Sequence, residues 1–476
     1  MKTWTFLRRL LRYRPWLFAV NCLAWGIFHS IPVLIGLVVR EIFNSLTGSA
    51  VAGLNSWTLL ALLAGVWVVR IGTFGGAFYV WATYWFTLEG LLRRNILEWL
   101  VAGAGARRLP DSPGEAISRF RDDVEEVLHY IEGWVDFGGL LLFAVIALAI
   151  MAQINIYITV VVFLPLLGIV LVANKLTTRI RAYRRANREA TGRVTGFIGE
   201  MFGAVQAVKV ASAERNVVAY FRTLNDARRK AALRDSLFTE LLRSINVNMV
   251  NVGTGVILLM AAGTMRSGSF TVGDFALFVS YLPRITNIMH FFGDQIASHK
   301  RMSVSIERIM RLLTGAPEEQ ITQQAPLYLD GQFPAVPPVE RRVEDRLVAL
   351  EARGLTYRHP ASGRGIEGAN LRLERGTMTV ITGRIGSGKS TLLRVLLGLL
   401  PRDSGEIRWN GQLVEDPSSF MVPPRAAYTA QVPRLFSETL RDNILLGQPE
   451  EEANLDAAIH LAVMEEDVET LEDGLD

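Results

Sequence analysis

TVITGRIGSGKST, residues 379–391, decides how the C-terminal part of this chain folds. Its β-branched start, Thr379–Thr382, predicts a strand, and the apolar run Thr391–Leu400 predicts a helix. The loop between them fits G-x-x-x-x-G-K-S/T, in which backbone N–H groups and a helix N-terminus surround a phosphate. In such a loop Lys389 reaches the β- and γ-phosphates, and the hydroxyl of Ser390 ligates Mg²⁺. The stretch therefore predicts a nucleoside triphosphate site.

Other interpretations of this loop fit the residues less well. A glycine-rich turn without chemistry would not need a strand before it and a helix after it. A dinucleotide fingerprint requires a glycine three positions after Gly388, where Thr391 stands. A GTPase would carry an Asn-Lys-x-Asp motif after the loop, and the sequence has none.

The whole chain is more apolar than an ordinary soluble protein, in which about a quarter of the residues are charged. It has 476 residues, 50% of them hydrophobic and 20% charged, and its mean hydropathy is +0.26. The net charge of +4 is too small to indicate a nucleic-acid partner, and we expect none. The single cysteine, Cys22, excludes a disulfide within the chain and a multi-cysteine metal site.

Long apolar runs indicate a membrane domain. A bilayer is crossed by about 20 apolar residues in helical form, and six stretches qualify. They lie near residues 16–38, 57–83, 134–152, 155–173, 245–264 and 272–293. The first is too long for a secretory signal, so we interpret it as an uncleaved anchor.

The distribution of Lys and Arg predicts the orientation of these spans. Basic residues concentrate at the N-terminus and in the two long connections, after the second and the fourth span, whereas the other connections carry few. The positive-inside rule then places both termini and both long connections in the cytoplasm. We predict a multi-pass protein of the plasma (cytoplasmic) membrane.

The two long connections have the apolar spacing of helices, so we expect the membrane helices to continue well beyond the bilayer. In the first of them, the acidic cluster 122–126 is interpreted as a solvated helix face. Inside the spans, Arg70 and Arg284 interrupt the apolar pattern, which is costly unless each meets water or a partner. Either they face a cavity that favours anionic or phosphate-bearing cargo, or they bond backbone carbonyls or snorkel.

A change in composition separates the membrane part from the soluble part. Residues 313–346 are rich in Pro, Gly and Gln and predict a linker. After the linker, Leu347–Leu350, Ala369–Leu373 and Glu406–Trp409 predict strands. Asn410-Gly411 is a strong signal for a hairpin turn.

Further motifs stand around the phosphate loop, and together they resemble a known family. Tyr357 lies in GLTYRHP, Gln431 lies in YTAQVPRLFSETLRDNILLG, and SGEIRWNG stands between the loop and Gln431. In this order they look like the A-loop, Walker A and Q-loop of an ABC transporter ATP-binding domain. SPGEAISRFRDDVEEV (112–127) and residues 191–221 are similar to the two intracellular loops of the exporter-type membrane domain.

The resemblance implies a fold class and a domain division. We expect an all-α six-helix transmembrane domain over 1–312, a linker over 313–346, and a partial P-loop α/β nucleotide-binding domain over 347–476. Short coupling helices near 107–114 and 209–216 would dock on nucleotide-binding domains. The partners implied are a second half-transporter, identical or related, the lipid bilayer, and an unidentified transported substrate.

The resemblance also implies the roles of the site residues. Tyr357 would stack on adenine, and Gln431 would contact Mg²⁺ together with Ser390. The cofactors are thus ATP and Mg²⁺. The triphosphate would be held by Gly383, Arg384, Ile385, Gly386, Ser387, Gly388, Lys389, Ser390 and Thr391. Tyr357 as a surface aromatic and Gln431 as an ordinary polar residue at a strand end remain open as alternatives.

One departure from the family concerns hydrolysis. The sequence contains no Leu-Ser-Gly-Gly-Gln signature, no apolar strand ending in Asp-Glu, and no switch histidine, so no catalytic residue is assigned. The leading interpretation is an exporter half-transporter that acts as a dimer. A second is an ATP-binding subunit whose partner supplies signature and base. A third, which we favour for the shortfall, is an incomplete reading frame.

Overall fold

The computed structural model describes residues 3–49, 54–101, 112–266, 269–329, 342–360, 362–450 and 453–476. Its contacts divide the chain into a helical unit, which holds most residues up to Leu327, and a second unit, which includes Tyr328–Asp476. We call them the membrane unit and the nucleotide unit. The predicted domain division of 1–312, 313–346 and 347–476 stays a prediction.

Long helices make up the membrane unit. A π-helical turn, Arg119–Asp123, leads into the longest of them. The helices are α1 (Thr3–Leu11), α2 (Pro15–Leu46), α3 (Ser56–Val101), α4 (Pro113–Ser118), α5 (Val124–Gly203), α6 (Val205–Val210), α7 (Glu214–Arg266) and α8 (Val272–Leu312). The lengths of α3, α5 and α7 confirm that helices continue well beyond the apolar runs.

The predicted spans fall on these helices. The first two lie in α2 and α3, the third and fourth both lie in α5, and the last two lie in α7 and α8. Within the described residues, three helical segments are long and apolar enough to cross a membrane: Pro15–Leu46, Ser56–Val101 and Pro113–Leu164. The protein is therefore a membrane protein, and the count of six spans stays a prediction.

A single residue, Asn155, divides α5 into its two predicted spans. Its φ of −157° and ψ of 100° are extended rather than helical. Its Oδ1 accepts the backbone N–H of Ile158 at 3.0 Å, as a helix N-cap does. Met151 and Ile158, on opposite sides of this residue, both belong to one buried cluster of the unit. One extended residue thus ends one span and begins the next.

Helices α2 and α8 are joined by close contacts. The hydroxyl of Tyr281 donates to the carbonyl of Val33 at 2.6 Å, and a Cβ at Gly36 would overlap the Tyr281 ring. Further along, Nε of Arg40 donates to Oδ1 of Asp274 at 2.6 Å. We call this set of contacts the α2–α8 seam. Small residues and one ion pair allow the two backbones to approach closely.

The acidic cluster at the start of α5 differs from its interpretation as a solvated face. Asp123 is buried, and its Oδ1 accepts the hydroxyl of Ser305 at 2.7 Å and lies 3.7 Å from Arg308. Glu126 accepts Nε of Arg301 at 2.8 Å. The interpretation is wrong for Asp123, because the last turns of α8 supply donors that helical periodicity alone cannot reveal, whereas Glu126 is half-buried.

The beginning of the predicted linker is a fixed strap on the membrane unit. Nδ2 of Asn95 donates to the carbonyls of Ile321 and Gln323 at 3.0 and 2.8 Å. Arg9 pairs with Glu319 at 2.9 Å, and the side chain of Ile321 is fully buried. Residues 330–341 of the predicted linker lie outside the described residues.

The nucleotide unit contains a four-stranded antiparallel sheet in the order β2-β1-β3-β4. Asn410 and Gly411, with φ of 53° and 84°, form the turn between β3 and β4 and confirm the predicted hairpin. The strands are β1 (Ala349–Arg358), β2 (Gly365–Glu374), β3 (Ser404–Trp409) and β4 (Gln412–Leu413).

The strand predicted before the phosphate loop is wrong. Thr379–Thr382 has no regular secondary structure, because within the described residues no strand lies beside it and a strand requires a ladder partner. The sheet of this unit is small and antiparallel, and the partial P-loop α/β class stays a prediction. The helices are α9 (Lys389–Leu396), α10 (Pro417–Phe420), α11 (Leu440–Leu445), α12 (Leu455–Ala462) and α13 (Glu465–Thr470).

Candidate nucleotide-binding site

Two glycines give the phosphate loop its curvature. Gly386 and Gly388 have φ of 82° and 93°, a region that costs other L-residues about 1–2 kcal/mol. At Gly388, a Cβ would lie 2.8 Å from Cγ2 of Ile366 and 3.3 Å from the carbonyl oxygen of Gly365. The start of β2 therefore supports the back of the loop directly, and only glycine fits between them.

Lys389 closes the loop. Its Nζ donates to the carbonyl oxygens of Gly383 and Arg384 at 2.8 and 2.9 Å. Ser387 N–H donates to the carbonyl of Arg384 at 3.1 Å, which forms a tight turn inside the loop. The ammonium group is thus held at the mouth of the loop, next to the first turn of α9.

The N-terminus of α9 completes the site. The first N–H groups of an α-helix have no acceptor within the helix, and the helix dipole adds partial positive charge there. Gly388 is the N-cap of α9, and Lys389, Ser390 and Thr391 form its first turn. Ser390 is exposed on this turn. Backbone donors, an ammonium group and a hydroxyl therefore converge, and this set fits a triphosphate with Mg²⁺ held partly by its oxygens.

Helix α9 is fixed behind the loop by the core of the nucleotide unit. Val395 and Leu396 are buried against Leu355 of β1 and Ile407 of β3 in one cluster. The predicted helix Thr391–Leu400 is confirmed in type, although it begins at Lys389 and ends at Leu396. The loop is thereby held on an ordered helix.

Tyr357 lies at the edge of this core rather than on the surface. Only 7% of the residue is exposed, so its interpretation as a surface aromatic is wrong. Its ring meets His359 edge-on, with centroids 4.9 Å apart at 81°. Stacking of Tyr357 on adenine stays a prediction. It requires a larger part of the ring face to be exposed than is exposed in this structure.

Gln431 does not lie at the end of a strand. It is exposed in a segment without regular secondary structure, so the predicted strand before it is wrong. The physical reason is the same as for Thr379–Thr382: an extended segment becomes a strand only beside another strand. Contact of Gln431 with Mg²⁺ stays a prediction.

The predicted coupling segments are only partly described. Residues 107–111 of the first lie outside the described part of the chain. In the second, the short helix is α6, Val205–Val210, which begins four residues before the predicted 209–216. One neighbouring element was missed: Ser112 and Glu115 form a capping box at the start of α4. The S-x-x-E spacing in the sequence is the signal that could have found it.

The two arginines inside the predicted spans rest on aromatic rings. The guanidinium of Arg70 lies 5.2 Å from the ring centroid of Phe28 and 5.1 Å from that of Trp67. That of Arg284 lies 5.8 Å from the centroid of Phe143. Within the described residues neither has an acidic partner or a side-chain hydrogen bond to a backbone carbonyl.

Comparison with known families gives a consistent result for both units. Residues 26–289 match the family described as ABC transporter transmembrane region, and residues 366–474 match the family described as ABC transporter. The second match contains the whole phosphate loop. Both parts of the sequence thus match domains of ABC transporters.

Individual relatives agree with this assignment. An ATP-dependent lipid A-core flippase of Ralstonia nicotianae is 23% identical over 489 residues, which cover 100% of this chain and 78% of that protein. Flippases of the same name from Burkholderia orbicola and Bordetella avium are 24% and 23% identical over 67% and 75% of this chain. These matches span only 51% and 58% of the two relatives. The chain belongs to the ABC transporter family, with an exporter-type transmembrane region joined to an ATP-binding domain.

Proposed function

We propose that this chain is half of an exporter that uses ATP to move an anionic, lipid-like amphiphile across the membrane. The observation that carries the ATP part is the closed phosphate loop. Lys389 is tied to the carbonyls of Gly383 and Arg384 beside the N-terminus of α9. A bound triphosphate would replace these two carbonyls as the partner of the ammonium group, and Ser390 would hold Mg²⁺.

The substrate class rests on Arg70 and Arg284. Each guanidinium group lies on an aromatic face and has no acidic partner in the described chain, which leaves it available to a phosphate group. The surrounding helices are apolar and suit hydrocarbon chains. The relatives are named for lipid A-core, and a phosphorylated glycolipid combines both chemistries. We therefore propose a phosphorylated glycolipid as substrate.

The working unit is proposed to be a dimer of half-transporters. The apolar window of α3 is only 6% buried within this chain, which leaves a surface for lipid or for a second copy. The excess of Lys and Arg at the N-terminus and in the long connections supports cytoplasmic termini in the plasma membrane. The ATPase activity of the purified chain distinguishes two cases. Either this chain hydrolyses ATP alone, or hydrolysis needs another polypeptide.

The test is ATP-driven translocation in proteoliposomes that contain the full chain, with a fluorescent phosphorylated glycolipid and a fluorescent phosphatidylcholine as probes. Arg70→Gln and Arg284→Gln should each slow glycolipid movement about tenfold, the effect of losing one charge-assisted hydrogen bond. Arg266→Gln, which removes an exposed arginine at the end of α7, should have little effect.

Lys389→Ala should abolish the ATP dependence of movement, because the loop loses its ammonium group. Equal rates for wild type and both membrane-arginine variants would refute the substrate class. Movement that persists in Lys389→Ala would refute the role of the loop.

A further inference from the structure

An apolar groove lies beside the amphipathic helix α1. It has a volume of about 550 Å³ and is walled by α1, the first turn of α2 and the start of α5. Trp4, Leu7, Phe18, Ile131 and Trp134 line it. We call it the α1 groove. Its volume is in the range of ligand sites in proteins, and it lies on the outside of the membrane unit, at a distance in sequence from Arg70 and Arg284.

The inner wall of the α1 groove offers no polar group to a ligand. Tyr130 also lines it, but this side chain is buried and its hydroxyl is bonded to Nδ1 of His299 at 2.9 Å. Leu7 and Ile131 are buried aliphatic side chains. A sugar or a nucleotide would lose its hydrogen bonds to water in such a groove, whereas a hydrocarbon chain would gain from burial.

The rim of the groove is basic. Arg8 on α1 and Arg12 in the turn that follows it both line the groove and are exposed. Within the described residues neither guanidinium group has a hydrogen-bonding or ionic partner. Arg9, on another side of α1, is paired with Glu319. An anion at this rim would be attracted to both guanidinium groups.

Exposed tryptophans place the groove at a membrane surface. Trp4 and Trp16 are 68% and 79% exposed, and Trp134 is 40% exposed. Tryptophan is enriched where hydrocarbon meets headgroups, and an amphipathic helix that buries one face and carries arginines on the other is typical of that zone. The occupant of the groove is therefore available in the surrounding bilayer.

We propose that the α1 groove binds an anionic phospholipid of the surrounding leaflet. One acyl chain fills the apolar groove, and the phosphate lies between the guanidinium groups of Arg8 and Arg12. The bound lipid is a structural ligand that fixes α1 against the start of α5, and it is not the transported substrate.

The experiment is native mass spectrometry of the full chain in detergent, titrated separately with phosphatidylglycerol and phosphatidylcholine. The wild type should bind phosphatidylglycerol more tightly. Arg8→Gln and Arg12→Gln should each weaken that binding about fivefold, the contribution of one basic residue near anionic lipid. Arg14→Gln, which removes an exposed arginine of the same segment that does not line the groove, should change it less than about twofold.

A second arm tests the groove itself. Leu11→Trp places a large ring in the groove and should weaken binding of both lipids. Unchanged affinity in Arg8→Gln and Arg12→Gln would overturn the proposal. Displacement of the lipid by millimolar inorganic phosphate alone would mean that the arginines bind a free anion only. A shift from monomer to dimer mass that accompanies lipid loss would mean that a second copy covers the groove. None of these readouts requires ATP, so their failure is distinct from failure of the proposed transport.

Discussion

Two glycines of the phosphate loop, Gly386 and Gly388, differ in the space available for a side chain. Gly386 and Gly388 both have positive φ, but a Cβ at Gly386 would meet nothing within 4 Å, whereas one at Gly388 would press on Ile366. The dihedral penalty is therefore common to both positions, and the steric penalty belongs to Gly388 alone. Conformation and packing can be separated experimentally at these two residues.

We expect Gly388→Ala to destabilise the nucleotide unit more than Gly386→Ala. Each substitution costs about 1–2 kcal/mol for the left-handed backbone, and Gly388→Ala additionally displaces the Ile366 side chain. Thermal unfolding of the purified chain, with and without ATP, measures both effects. Equal shifts in the two variants would mean that the loop moves away from β2 at no cost.

At the scale of a single element, α5 shows how one residue can divide a helix. Asn155 breaks the helical dihedrals and caps the next turn with its own side chain. The hydroxyl of Thr159 donates to its carbonyl at 2.8 Å, which satisfies one of the groups that the break exposes. The turn between two spans is thus built from a single residue and its local hydrogen bonds.

Asn155→Ala should destabilise the membrane unit by about 1 kcal/mol, the usual loss for an N-cap. Gln153→Ala is the matched control, since this exposed amide lies two residues earlier on the same helix. Unfolding by titration with sodium dodecyl sulfate measures the difference. If both variants unfold together with the wild type, the cap contributes nothing and the kink is set by packing alone.

Across the whole molecule, the two units have separate hydrophobic cores. Phe143, Met151 and Leu282 belong to the core of the membrane unit, and Leu355 and Ile407 belong to that of the nucleotide unit. A ligand that binds the folded state stabilises only the structure that it contacts. We therefore expect the two units to unfold on heating in two separate transitions.

Leu355→Ala should lower the transition of the nucleotide unit, because truncating a buried leucine costs about 2–5 kcal/mol, and leave the other transition unchanged. ATP should raise the same transition in the wild type. Differential scanning calorimetry in detergent resolves the two, with Leu237→Ala, an exposed position on α7, as the control. A single transition that moves as a whole would contradict independent cores.

Features with local causes could be predicted from the sequence. The length of an apolar run is enough for α2, and Asn410-Gly411 is enough for the hairpin. The phosphate loop was recognisable because its chemistry requires fixed spacing. Features that depend on distant partners could not be predicted. Thr379–Thr382 needs a neighbouring strand, Ile321 is fixed by Asn95, 226 residues earlier, and Asp123 is buried by Ser305, 182 residues later.

The α2–α8 seam has a mechanical consequence. A Cβ at Gly273 would overlap the carbonyl oxygen of Arg40, and the N–H of Gly273 donates to Oδ1 of Asn44 at 3.1 Å. With Tyr281 bonded to the α2 backbone as well, sliding of one helix past the other would break these hydrogen bonds together. Close-packed interfaces resist such shear. We therefore expect α2 and α8 to move together as one rigid body, with any bending at positions outside the α2–α8 seam.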